Sequence, residues 1–117
     1  MSDDEKGKPF AVVEHYSGSD QAYQKVAVWN VGQIWELSHG RLDNIKLASS
    51  NYSKTRFKFS VAGKVLFRDI ELVEALTVTF PDNELPFGEE VILECKSSDG
   101  TAIAVDAIIA GTEYKGG

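Results

Sequence analysis

The sequence holds a single cysteine, Cys95, and two histidines, His15 and His39, in 117 residues. One cysteine excludes an internal disulfide and every multi-cysteine zinc pattern. Neither histidine has the short-range spacing of a metal site or a catalytic triad, and Ser38-His39-Gly40 reads as a turn, which leaves only distant partners brought together by the fold. Apart from Gly116-Gly117, the 10 glycines are scattered singly rather than grouped before a helix, so no phosphate cradle is expected. No run approaches the ~18 apolar residues needed to cross a bilayer, so no membrane partner is expected. The first nine residues lack the apolar stretch of a secretory signal, which predicts synthesis and folding in the cytoplasm. Positive charge is also in short supply: 12 Lys and Arg stand against 18 Asp and Glu, for a net charge of -6. A phosphate-binding face needs the opposite balance, so nucleic acid is not an expected partner.

What is present is an ordinary globular composition, 43% apolar and 26% charged, in a chain of about one domain's length. Residues 1–9 are polar and of mixed charge, with Gly7 and Pro9, and read as a flexible or docking arm ahead of one domain spanning 10–117. From Phe10 onward, short runs rich in Val, Ile, Phe and Thr are separated by Gly, Asn, Asp, Ser and Pro, the punctuation of strands. Phe57, Phe59 and Val61 alternate with Arg56, Lys58 and Ser60, the period of a half-buried strand. Ala62-Gly63-Lys64 then predicts a hairpin into Val65 to Arg68. Leu76 to Phe80 alternates again, and Val91, Leu93 and Cys95 form the next inward set. Asp99-Gly100 reads as a hairpin turn into a last strand from Thr101 to about Ala110. That strand is apolar on both faces, Ile103, Val105, Ala107 and Ile109 on one and Ala102, Ala104 and Ile108 on the other, so it is central or covered by another chain. Gln21 to Asn30, Gln33 to Leu37 and Leu42 to Ser49 read as further strands, and Asp69 to Ala75 as a loop or an extended connection, too short and too poorly capped for a helix. About eight short strands predict an all-β antiparallel sandwich, jelly-roll-like, ahead of an immunoglobulin-like one, for which the Cys-Trp-Cys spacing is missing.

Groups able to do chemistry are few. Cys95 keeps step with Val91 and Leu93 and reads as a small core residue, with a nucleophilic role as the minor alternative. Asp82, Glu84, Glu89, Glu90, Asp99 and Asp106 fall at strand ends, where solvated acids discourage edge pairing, although a suitable pair would serve glycoside hydrolysis. Calcium at Asp82, Asn83 and Glu84 is the weaker reading, since the run lacks the glycine-centred 12-residue pattern. No cofactor and no metal site are expected, and no catalytic residue is assigned. Trp29, Trp35 and Tyr52, with Tyr23, are the candidate contact residues: exposed on a sandwich they would form a platform for a sugar ring or an anchor for a protein, and buried they would be core.

Thr55-Arg56-Phe57, Leu66-Phe67-Arg68-Asp69, Leu76 to Phe80, Leu85, Gly88 and Lys96 to Thr101 together resemble small β-sandwich proteins of tailed-phage virions that decorate or cement capsids. The resemblance covers about half the chain, Thr55 to Glu113, and carries no functional residue. It implies a homo-oligomer, a trimer first, at the virion surface. The expectation is therefore a non-enzymatic structural protein that oligomerises and binds a larger assembly such as a capsid. The alternative is a carbohydrate- or ligand-binding module using Trp29, Trp35 and Tyr52, and a cupin-like enzyme ranks third for want of clustered histidines.

Overall fold

The computed structural model describes residues 7–32 and 38–115. They form eight strands: β1 (Gly7–Gly18), β2 (Gln24–Asn30), β3 (His39–Ser49), β4 (Thr55–Val61), β5 (Lys64–Ile70), β6 (Leu76–Thr79), β7 (Glu90–Ser97) and β8 (Ile103–Tyr114). They make two antiparallel four-stranded sheets, sheet A in the order β1-β8-β3-β6 and sheet B in the order β2-β7-β4-β5. The protein is an all-β antiparallel sandwich. Its pairing follows a simple rule. β1 bonds β8, β2 bonds β7, β3 bonds β6 and β4 bonds β5, as though one long hairpin with its tip at Ala62-Gly63 had been wrapped around itself. Apart from that tip, every connection crosses from one sheet to the other.

The core is the meeting of the two inner faces, where alternate residues of each strand interdigitate. Trp29, Phe57, Phe59, Leu93 and Cys95 of sheet B lie against Ile45, Leu47, Val105, Ala107 and Ile109 of sheet A, all buried. The predicted facing of the strands over Phe57–Val61, Leu76–Phe80 and Val91–Cys95 is observed, and the strand apolar on both faces, β8, is indeed central, flanked by β1 and β3. At the β4–β5 tip, Ala62 and Gly63 both sit at positive φ, 52° and 79°, as a two-residue type I′ turn requires.

Three local expectations change. Gly7, Lys8 and Pro9, assigned to the arm, open β1 and pair with Tyr114, Glu113 and Thr112; residues 1–6 lie outside the described residues. Ser38-His39-Gly40 is not a turn, because His39 and Gly40 pair in extended conformation with Tyr114 and Glu113. Asp99-Gly100 does turn the chain, with Gly100 at φ 87° and its N–H donating to Ser97 Oγ at 3.0 Å, but the turn joins β7 of sheet B to β8 of sheet A and makes no hairpin. Local turn chemistry dictates a reversal, and the two-sided apolar character of β8 draws it into the centre of the other sheet. The predicted strand over Gln33 to Leu37 lies outside the described residues.

Candidate functional site

Of the three aromatic candidates, Trp29 points inward from β2 and is fully buried. A buried indole N–H needs an acceptor, and here it is a buried carboxylate: Trp29 Nε1 donates to Glu113 Oε2 at 2.7 Å. Glu113 also accepts from Gly32 N–H at 3.1 Å and from Ser38 Oγ at 2.8 Å, so one acid ties together the end of β8, the turn that follows β2 and the residue before β3. The indole fits because Gly40 and Gly111 have no side chains; a Cβ on Gly40 would lie 2.7 Å from the Trp29 ring. Tyr52 is half-buried in a 3-10 helix, Tyr52–Lys54, between β3 and β4. Trp29 pairs with Val91 and Thr55 with Ser97, six residues apart on β7, so Trp29 and Tyr52 belong to opposite ends of the sandwich, ~20 Å apart. They do not form one platform. Trp35 lies outside the described residues.

His15 makes a connection that sequence spacing did not suggest. Its Nδ1 is 2.8 Å from Asp106 Oδ1 across the β1–β8 pair, and its Nε2 is 3.3 Å from Ser17 Oγ. The order Asp-His-Ser matches a triad on paper. However, His15 and Asp106 are 55% and 71% exposed, and solvent there screens any charge that would develop during a reaction. The trio reads as a hydrogen-bonded surface group. Asn83, proposed as a calcium ligand with Asp82 and Glu84, spends its amide on backbone: Nδ2 donates to Leu42 O and Pro81 O, and Oδ1 accepts from Leu42 N–H. Among the described residues, no group of three His, Cys, Asp or Glu side chains is placed to hold a metal. Cys95 is buried, and burial pushes its thiol up to about 12, the wrong direction for a nucleophile.

The two outer faces of the sandwich differ sharply, and strand register shows how. On sheet B, Lys25, Glu94 and Lys58 form one cross-strand row, with Lys58 Nζ 3.6 Å from Glu94. Arg56 meets Glu71 at 3.1 Å, and Lys96 meets Asp69 at 3.6 Å. At the centre Tyr23 donates to Asp69 at 2.5 Å and receives the Asp69 N–H at 2.9 Å, with Lys58, Arg68 and Lys96 around its ring. Burial and the bond to Asp69 push the Tyr23 phenol up to about 12, while the same bond holds the Asp69 carboxyl below its usual range. Charges on this face are matched within the chain.

Sheet A presents the contrary. Its outward rows are Val13-Ile108-Lys46-Thr77 and Ala11-Ala110-Asn44-Thr79, with Ala48 and Ala104 beside them. The β1–β8 side of this face is small and apolar, with Val13 63% exposed on it, while the β3–β6 side carries the exposed Lys46 with Asn44, Thr77 and Thr79. Polar groups collect at its two ends, His15 and Asp106 at one and Arg41, Asp43 and Tyr114 at the other, where Arg41 Nε meets Asp43 at 2.7 Å and His39 stacks on Tyr114. An apolar strip bordered by polar groups is the anatomy of a protein contact. Reading residues 11 and 13 as an outward pair would have found it; β1 went unread because its Glu14 is exposed on the inward side, which breaks the alternation.

Neither a family model nor a curated protein matches the chain. Among the described residues, no helix is long and apolar enough to cross a membrane.

Proposed function

We propose that the protein is a non-catalytic structural component that oligomerises and docks on a larger protein assembly. The observation that carries this reading is the contrast between the two outer faces: sheet B is charged and internally paired, whereas sheet A offers a strip of small apolar side chains along β1 and β8 with polar groups around it. A strip of Ala, Val and Ile binds by excluding water, and polar groups beside it fix the orientation, which suits seating on a regular protein surface. The strand order 1-8-3-6 and 2-7-4-5 is the basis on which we take the sandwich to be a jelly roll. Given the resemblance in the second half of the chain, the assembly we favour is a tailed-phage capsid, with the protein at the virion surface as a homo-oligomer, a trimer first. The rival ligand-binding module was built on Trp29, Trp35 and Tyr52, and it loses Trp29 to the core.

The test is co-sedimentation with capsids of the phage encoding the chain, purified without it. Wild-type protein should pellet with the shells at saturable stoichiometry. Ile108→Lys, which places a charge in the apolar strip between Val13 and Lys46 without touching the core, should remain in the supernatant while keeping its circular dichroism. A wild-type chain that never pellets, or an Ile108→Lys chain that pellets as well as wild type, would contradict the proposal.

A further inference from the structure

The sandwich is closed along one side and open along the other. β1 and β2, the edge strands on the closed side, pack together, whereas no comparable contact joins β5 to β6. Core side chains therefore show through a seam between β5 and β6. Two adjoining cavities of about 270 and 240 Å³ run along it, both lined by Leu66 and Phe80; Leu85 and Lys64 border the first, Ile70 and Leu76 the second. Leu66 itself is 49% exposed. Together the cavities reach the size at which apolar pockets hold a ligand or a partner's side chains.

Strand pairing is a poor way to cover this edge. Phe57 pairs with Ile70, Phe59 with Phe67 and Ser60 with Val65, so β5 carries extra residues at two places, and Asp69 in the bulged stretch has φ 55°. Bulges twist an edge away from incoming strands. What remains is side-chain docking, and the chain carries a matching projection. Val73, in the loop from Glu71 to Ala75, is 87% exposed, the most exposed large apolar residue described. Beside it, Glu74 has no ion pair among the described residues, and neither has Lys64 at the mouth of the first cavity. Phe87 is a poorer candidate, because its ring already packs over Gly32.

Projection and cavity lie at opposite ends of one seam. The loop follows Ile70, while Lys64 begins β5, seven residues and ~20 Å away, so the chain cannot seat its own Val73 there. We infer that the first cavity of the β5–β6 seam receives the Glu71–Ala75 loop of a second copy of this chain, Val73 entering between Leu66, Phe80 and Leu85 while Glu74 meets Lys64. The contact joins two different surfaces, so it repeats head to tail, as a ring where the rotation between copies closes and as an open filament where it does not. It rests on the assembly reading and names the subunit contact within it.

Sedimentation equilibrium on wild type, four single variants and one double variant tests this. Val73→Asp spoils the projection and Leu66→Asp the cavity; both residues are exposed, so each variant should keep its circular dichroism and urea midpoint while becoming monomeric. Mixing these two monomers leaves one good contact per pair, and 1:1 dimers should form. Lys64→Glu or Glu74→Lys should each weaken association by about fivefold, and the two together should restore it. A wild-type oligomer that survives both Val73→Asp and Leu66→Asp, or a wild type monomeric throughout while still pelleting with capsids, overturns this contact and leaves the assembly reading standing. Oligomers that assemble through the seam yet never bind a shell do the reverse.

Discussion

Replacing Glu113 is the sharpest probe of how the two sheets are held together at the Trp29 end. The carboxylate is fully buried and accepts from Trp29 Nε1, Gly32 N–H and Ser38 Oγ. In Glu113→Ala, the Ser38 hydroxyl can rotate toward another acceptor, but the indole N–H and the Gly32 N–H are fixed by the backbone and the packing. A buried donor left unmet costs ~1–3 kcal/mol, and relief from burying the carboxylate offsets part of the total, so a net loss of ~2–5 kcal/mol is expected. Glu113→Gln separates charge from connectivity. With its oxygen turned to Trp29 and Gly32 and its NH2 turned to Ser38, which can accept, the amide reproduces the bonds to these three residues, and the loss should shrink to ~1 kcal/mol. Urea unfolding followed by tryptophan fluorescence and circular dichroism reads both, as a lower midpoint at unchanged slope. An Ala variant within ~0.5 kcal/mol of wild type, or a Gln variant as damaged as Ala, would refute the reasoning.

Three further outcomes follow from the same geometry. Gly40→Ala puts a Cβ 2.7 Å from the Trp29 ring, and a loss of ~1–3 kcal/mol in urea unfolding should result, since the fully buried indole is also packed against Phe10 at 4.7 Å between ring centroids. Ala62→Asn relieves a non-glycine residue at φ 52° in the type I′ turn and should raise stability by ~0.5–1 kcal/mol, measured the same way. On the alkaline side, Cys95 and Tyr23 both titrate near 12 when folded, above their ordinary 9.0 and 10.0, so the unfolded chain releases these protons first. Stability should therefore be complete below pH 9 and fall steadily as pH rises toward 12, and Cys95→Ala should flatten the first part of that fall.

How much of this was legible in the sequence depended on what each residue faced. β4, β6 and β7 were readable because one face is core and the other water, so apolar and polar residues alternate. β8 was readable up to Ala110, where the rule was dropped; carried two steps further, the inward set Ile103, Val105, Ala107, Ile109 runs on through Gly111 to Glu113, and the buried acid would have emerged as the partner of an aromatic donor. β1 was not readable, because an edge strand is wet along one side and its inner row reaches beyond the core at Glu14. Gly40 and Gly111 looked like turn residues but sit in strands, where the lack of a side chain makes room for Trp29. The outward facing of Val13 and Ile108 follows from strand parity, but that they share one row requires the β1–β8 register, which only pairing across ~95 residues of chain defines.

The claim that the sheet A face is the seat on a larger assembly is tested most directly by hydroxyl-radical footprinting of the chain free and shell-bound. Val13, Ile108 and Tyr114 should lose labelling on the shell, while Tyr23 on the sheet B face keeps its own. Undiminished labelling of Ile108 in the bound state, or protection of Tyr23 in its place, would contradict the account.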